Sequence, residues 1–474
     1  MSEEKKMENE NIELITGDPK KAIIKLSIPI FITLIISFIY HLIDTVWVAG
    51  LGPNALSAIA FVTPIYMFLI SIGSGIGAGA SSLISISIGA EDHKRANSIG
   101  LHALLLGGLL SIIPALLVLF YLKPILIFVG AGDVLSYAMD YAYIMFLFIF
   151  AIIFSNMGSY LFRAEGNAKR ATHAVFLSAF LNIILDPIFI YILNLGMKGA
   201  ALSTVVSVLI SCIIMAYWIW IKKDNYLELT YKHFKLDLNI IQEIIGLAIP
   251  STLQITVISA LNLLINLMIT HASNSVSVGV FTVSMQAIQF TVIPLNAIAT
   301  ALLTVAGVAY GANNFKNLKT TYSFCIRIGF VLAVVAASLM IVFSSPIATI
   351  FSYSNKSAGL TPLIASTISI LSLYVISIPH GLMSTSLFQA IGKGLYSLIL
   401  TIVSALLLQL VLAYLFCFTF GWGLNGIYAG MIFGTFIGSL IGYIWAKIFI
   451  INELGKNMLN LFMKLLNTNN LIGE

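Results

Sequence analysis

Twelve stretches of twenty or more mostly apolar residues, parted by charged or Gly/Pro/Asn-containing breaks, run almost end to end through this chain. A helix needs about 20 such residues to cross the hydrocarbon core of a bilayer. The stretches read as 24–48, 57–87, 98–121, 134–160, 171–193, 199–221, 243–271, 278–309, 320–344, 361–387, 396–419 and 425–450. They are continuous, unlike the alternating segments of roughly ten residues that build a membrane barrel. The expected fold class is therefore all-α, a polytopic membrane protein of twelve transmembrane helices. Composition closes off the alternatives: 59% of the 474 residues are hydrophobic and 9% charged, against roughly 25% charged in a soluble domain. A disordered chain, a disulfide scaffold and a soluble α/β enzyme are all excluded.

The net charge of +5 is informative only through its placement. With the N-terminus in the cytoplasm, the loops and helix ends on that side collect 21 of the 24 Lys and Arg, and only Lys123, Lys198 and Lys356 fall outside. Lys20, Lys94, Arg95, Arg163, Lys169, Arg170, Lys222, Lys223, Lys232, Lys316 and Lys393 belong to the inner set. Because cytoplasmic loops accumulate Lys and Arg, both termini are expected in the cytoplasm, with no nucleic-acid partner. Residues 1–19 hold five Glu and one Asp and are no signal peptide. They are expected to form a short, mostly disordered cytoplasmic arm. Cys212, Cys325 and Cys417 lie inside apolar stretches and read as packing residues.

A polar linker, 223–242, divides the chain into two sets of six helices: an N-lobe, 20–222, and a C-lobe, 243–452, followed by a cytoplasmic tail, 453–474. The sets match. Pro29 and Pro250 open them 221 residues apart, and Gly89 and Gly311 centre two basic loops 222 apart. Gly166 and Gly392 are separated by 226 residues, Gly199 and Gly426 by 227. Slowly drifting offsets at matched topological positions mark an internal repeat. Six crossings return the chain to the same side, so the two bundles share one orientation and are expected to be related by a pseudo-twofold axis along the membrane normal. That is the plan of a transporter alternating access between two lobes, not of an enzyme, and it needs no second chain, so a monomer among membrane lipids is expected.

Ionisable groups inside spans are costly and mark function. Asp44 and Asp186 alone lie deep in apolar segments, Asp140 is nearer a span's end, and between Glu243 and Glu453 there is no acid at all. Asp44 is about 20 residues and Asp186 about 15 into their spans, or roughly 30 and 22 Å at ~1.5 Å per residue. Both spans run outward, so the two acids can share a level. Tyr40 precedes Asp44 by four residues and Asn182 precedes Asp186 by four, placing each pair on one helix face. Thr204 of the sixth span can join them. Pro187 frees the carbonyl of Ile183 and predicts a bend beside the acid. A carboxyl out of water can trade a proton near neutrality, while carboxylates with amide and hydroxyl oxygens suit a hard cation such as Na⁺. Either H⁺ or Na⁺ can be the coupling ion; no other cofactor is expected. The run Gly73–Gly79 reads as close helix packing rather than a nucleotide fingerprint, and the scattered His41, His102, His173, His271 and His380 lack metal-ligand spacing.

Gly17-Asp18-Pro19, Asp44-Thr45-Val46-Trp47-Val48-Ala49-Gly50, Arg163-Ala164-Glu165-Gly166 and Asn182-Ile183-Ile184-Leu185-Asp186-Pro187 give the chain, over roughly residues 17 to 450, a resemblance to the multidrug and toxic compound extrusion (MATE) transporters. The resemblance implies twelve helices in two lobes and efflux of cationic or amphipathic organic compounds across the cell membrane in exchange for H⁺ or Na⁺. It is closest to the prokaryotic branch with N-lobe carboxylates, whose matching positions are Tyr40, Asp44, Asn182, Asp186 and Thr204 here. The acid-free C-lobe departs from the branch that places its carboxylates there. The alternative, a flippase of lipid-linked saccharide precursors, calls for a basic cavity, whereas the buried charges here are acidic.

Overall fold

The computed structural model describes residues 3–222, 225–230, 234–273, 275–352 and 358–469, and every regular element among them is helical. Lys223, Lys232 and Lys356 of the charge count lie outside the described residues. In order the helices are α1 (Glu3–Thr16), α2 (Pro19–Ala49), α3 (Pro53–Gly89), α4 (His93–Phe120), α5 (Leu122–Phe128), α6 (Leu135–Leu147), α7 (Ile149–Ala164), α8 (Ala168–Pro187) and α9 (Gly196–Ala216). Then come α10 (Leu238–Ala272), α11 (Ser275–Gly311), α12 (Phe315–Val342), α13 (Ser344–Phe351), α14 (Thr361–Ala390), α15 (Gly394–Ile402), α16 (Val411–Tyr414) and α17 (Gly423–Asn469). Wider π-wound turns extend four of them, at Ile188–Ile192, Tyr217–Lys222, Val403–Leu410 and Leu415–Thr419.

Eleven of the described helical spans are long and apolar enough to cross a membrane. Gly132–Leu147 and Ile149–Ala164, which meet at 52°, pass the same test only together and bring the count to twelve when taken as one broken span. The apolar run 134–160 predicts one continuous helix, and the break falls at Phe148 (φ −107°, ψ 15°). There is neither proline nor glycine at that point, so hydropathy passes over it. The arm at the N-terminus also differs from expectation, because residues 3–16 are helical rather than disordered. Ile15 of this helix is buried, and Gly166, with no side chain, lets the carbonyl of Asn11 and the Ile15 methyl approach where a Cβ would stand 2.8 and 2.9 Å away.

Contacts divide the chain into two compact units. Unit 1 is Met1–Gly17, Lys25–Ile88 and Asp92–Leu253; unit 2 is Asp18–Ile24, Gly89–Glu91 and Gln254–Glu474. In unit 1 the glycine run of α3 serves close packing. Cβ atoms on Gly73 and Gly77 would stand 2.7 and 2.5 Å from Ile153 and Tyr160 of α7, and one on Gly75 2.7 Å from the carbonyl of Ala248 in α10. Unit 2 has its own stripe: Gly430, Gly434, Gly438 and Gly442, one turn apart on α17, bring that helix onto Ala413, Gln409, Ser404 and Leu400.

The repeat read in the sequence recurs in the backbone. Glu91 and Asn313, 222 residues apart, are both left-handed (φ 57° and 53°), and each is followed by a helix cap, Asp92 or Asn314, that accepts the N–H three residues on at 3.0 Å. Gly166 and Gly392 turn the chain with φ 81° and 75° at an offset of 226. At an offset of 227, Gly199 and Gly426 each meet a phenylalanine backbone, Phe189 or Phe416, 2.6 Å from where a Cβ would be.

Candidate functional site

The site in unit 1 is assembled by α2, α8 and α9. Gly166 reverses the chain after α7, and the Asn167 side chain caps α8 by accepting the Arg170 N–H at 3.3 Å. The helix runs through Asn182 and Asp186 to Pro187, which has no N–H to give, and the chain continues as the π-wound Ile188–Ile192. A left-handed Gly196 then starts α9, and the bare Gly199 allows α9 to touch the backbone at Phe189. One turn further along α9 stand Ser203 and Thr204, three residues back along α8 stands Asp186, and the antiparallel pairing brings them together.

The result is a buried polar cluster. Asp186 is 0% and Asn182 1% exposed. The Ser203 hydroxyl donates to Asp186 Oδ1 in a short hydrogen bond, and Asn182 Nδ2 donates to the same oxygen and to Thr204 Oγ1, both at 3.3 Å. Three buried oxygens have no donor among the described residues: Asp186 Oδ2, Asn182 Oδ1 and Asp44 Oδ1. A buried oxygen left so carries a desolvation penalty that a proton or a cation can relieve.

Helix α2 carries Asp44 and Tyr40 within electrostatic range of this cluster. It is tied to α8 near its start, where the Pro29 carbonyl accepts from Thr33 and from Thr172 of α8, each at 2.9 Å, and the two hydroxyls lie 2.8 Å apart. A second tie lies near its end, where Tyr191 Oη donates to the Trp47 carbonyl at 2.5 Å. Gly50 makes room for that phenol, since a Cβ there would stand 2.1 Å from Tyr191 Oη. Asp44 is within electrostatic reach of Asp186, and Tyr40 of both.

All five side chains singled out in the sequence therefore fall in one neighbourhood: Asn182, Asp186 and Thr204 in direct hydrogen bonds, Asp44 and Tyr40 within electrostatic range. Sequence reasoning missed Ser203, whose signal was the four-residue step from Gly199. It also missed Tyr66 of α3, within reach of Asp44, and Tyr141 of α6, within reach of both acids. Asp140 is elsewhere, in an exposed ion pair with Lys198 at 3.5 Å. His102 bonds backbone, Nδ1 to the Ser98 carbonyl at 2.7 Å and Nε2 to the Asp237 N–H at 2.9 Å. No group of three His, Cys, Asp or Glu among the described residues is arranged to hold a metal.

Known proteins share this architecture. The model of the MatE family matches residues 29–188 and again 250–415, so that each half of the repeat is matched. The multidrug export protein MepA of Staphylococcus haemolyticus (strain JCSC1435) is 26% identical over 410 residues, 86% of this chain and 88% of MepA. A crystal structure of a MATE protein in complex with MaL6 superposes with a TM-score of 0.91 at 33% identity, over 94% of this chain and 99% of that one. A multidrug resistance MATE transporter of the MOP superfamily, in an outward-facing conformation, gives 0.91 at 34% identity over the same shares. Matched in both halves and along nearly its full length, the chain belongs to the MatE family of transporters.

Proposed function

We propose that this MATE transporter, an ion-coupled multidrug antiporter and not an enzyme, couples through Asp44 and Asp186 of its N-terminal half. Asn182 and Thr204 complete the ion seat and Tyr40 borders it. This is the arrangement of the prokaryotic branch with N-lobe carboxylates. The coupling ion, H⁺ or Na⁺, and a cationic or amphipathic organic substrate compete for the acids, directly or through a bend at Pro187, as the two lobes (20–222 and 243–452, joined by 223–242) alternate access. Both termini face the cytoplasm, the side on which Lys and Arg accumulate, and one chain suffices.

The observation that carries the reading is the fully buried Asp186, with two donors on Oδ1 and none on Oδ2, bonded to an Asn182 whose Oδ1 has no donor and within electrostatic reach of an Asp44 Oδ1 that has none either. Such oxygens suit a proton on a carboxyl or a Na⁺ among hard ligands. A Na⁺ would draw on Asp44, Asp186, Asn182 and Thr204.

The test is efflux of ethidium from liposomes holding the purified protein, under separately imposed H⁺ and Na⁺ gradients, for wild type, Asp44→Asn and Asp186→Asn. One gradient is expected to accelerate wild-type efflux, and each variant is expected to lose that acceleration. If both variants kept it in full, the coupling role of these acids would be wrong.

A further inference from the structure

Unit 2 contains a cavity of about 330 Å³ bounded by α10, α11, α14, α15, α17 and the π-wound Val403–Leu410. Its polar lining is made of amides and hydroxyls, among them Gln289, Asn296, Tyr374, Thr385, Thr401 and Gln409, and no Asp, Glu, Lys, Arg or His is among the described residues that line it. Gln409 is 5% exposed, and its Oε1 has no hydrogen-bond donor among the described residues. The hydroxyls of Thr385 and Thr401 donate within their own helices, to Leu382 O at 2.9 Å and Ser397 O at 3.0 Å. Each therefore has lone pairs left over as acceptors.

The repeat gives this cavity its meaning. At the offset of 227 fixed by Gly199 and Gly426, Asn182 falls on Gln409, Asp186 on Ala413 and Thr204 on Met431. Ser203 falls on Gly430, and that pair also keeps its contact, because a Cβ on Gly430 would stand 2.2 Å from the Ala413 backbone where Ser203 reaches Asp186. At the offset of 221 fixed by Pro29 and Pro250, Tyr40 falls on Leu261 and Asp44 on Ile265, both buried. Of the five polar positions only the amide has been kept.

We infer that the cavity is a second ligand site, which takes an uncharged organic molecule bearing hydroxyl or amide N–H donors. A cation entering it would shed water without meeting a counter-charge, a cost that neutral acceptors do not offset. An uncharged donor gives Gln409 the partner it lacks and leaves its apolar remainder against Ile258, Leu261 and Val292. The inference rests on the transporter reading only for the premise that this chain binds small organic molecules.

The test is equilibrium dialysis of the purified full-length protein against two radiolabelled compounds: chloramphenicol, uncharged with two hydroxyls and an amide, and tetraphenylphosphonium, a cation without donors. Gln409→Met, which keeps the length of the side chain, should weaken chloramphenicol binding about three- to tenfold, the value of one hydrogen bond. It should leave tetraphenylphosphonium unchanged, which also reports that the variant is folded. Thr385→Val, nearly isosteric and on another helix, should shift chloramphenicol in the same direction. Asp186→Asn should weaken only the cation. Three results overturn the inference: no saturable chloramphenicol binding by wild type, wild-type chloramphenicol affinity in both Gln409→Met and Thr385→Val, or loss of both compounds in Asp186→Asn. If the chloramphenicol results are as expected but tetraphenylphosphonium is indifferent to Asp186→Asn, the cavity stands and the acidic site loses its substrate role.

Discussion

Replacing Gly50 by alanine tests whether the tie between α2 and the π-wound turn after Asp186 is built as described. The new Cβ would stand 2.1 Å from Tyr191 Oη, so the phenol, 38% exposed, must swing out. That loses its hydrogen bond to the Trp47 carbonyl, about 1 kcal/mol. It also loses the edge contact of the two rings, whose centroids are 6.2 Å apart, worth about 0.5–1.5 kcal/mol. Against this, alanine restricts the unfolded chain and returns about 0.4–1 kcal/mol. The net is a destabilisation of about 1 kcal/mol, or about 2–4 °C for a cooperative unit of 150–250 residues. In a Tyr191→Phe background the clashing oxygen is gone, and the nearest atom is the ring carbon at 3.2 Å, which needs to give by only a few tenths of an ångström. There the same Gly50→Ala change should be neutral or stabilising. Thermal unfolding of the four proteins in one detergent measures the coupling, about 1 kcal/mol and within the range for residues in contact. Equal losses from Gly50→Ala in both backgrounds would refute the argument.

Two further outcomes follow from the packing and from the surface charges. Gly434→Ala should lower stability by about 1–3 kcal/mol, because its Cβ would meet the Gln409 backbone at 2.4 Å and a backbone has nowhere to go; Gly246→Ala in α10, with no atom within 4 Å, should be neutral or gain up to about 1 kcal/mol of helix propensity. Thermal unfolding that ranked these two the other way round would contradict the close approach of α17. Asp140→Asn removes one partner of an exposed pair, worth less than about 1 kcal/mol, and ion-driven ethidium efflux should continue at the wild-type rate; a loss as deep as that expected of Asp186→Asn would mean that Asp140 belongs to the ion path.

The parts of the fold legible in the sequence are those set by the bilayer and by rare residues. Span count and helical class follow from the length of apolar runs, because lipid leaves the backbone little choice. Asp44 and Asp186 stand out because an acid in such a run is expensive. Glycines that recur at matched loops exposed the repeat, and Gly166, Gly196 and Gly392 do take the left-handed conformations that suit glycine. What stayed hidden depends on who meets whom in three dimensions. Phe148 breaks its span without a breaker residue, and Val403–Leu410 is π-wound with an ordinary helical composition. Ser203 is one hydroxyl among many, distinguished only by the approach of α9 at Gly199, and Tyr66 and Tyr141 come from helices that the spacing around the acids did not implicate. Residues 3–16 looked too polar to order, yet the buried Ile15 and the facing Gly166, which also admits the Asn11 carbonyl, allow a helix to dock.

The π-wound turns at Val403–Leu410 bear on how such a duplicated chain can diverge. Between Gly392 and Phe416 the second half carries one residue more than the first does between Gly166 and Phe189, as the step from 226 to 227 records. On a soluble surface an inserted residue can be looped out into water, but in hydrocarbon its N–H and C=O must stay bonded. A widened turn absorbs it within the helix, so that beyond the insertion the register is restored and Gly426 still meets Phe416 as Gly199 meets Phe189. The side chains inside the widened stretch, Val403–Leu410, are the ones whose direction such an insertion can change. A single added codon can thus alter what one half presents to a ligand while the surrounding bundle keeps its inherited packing.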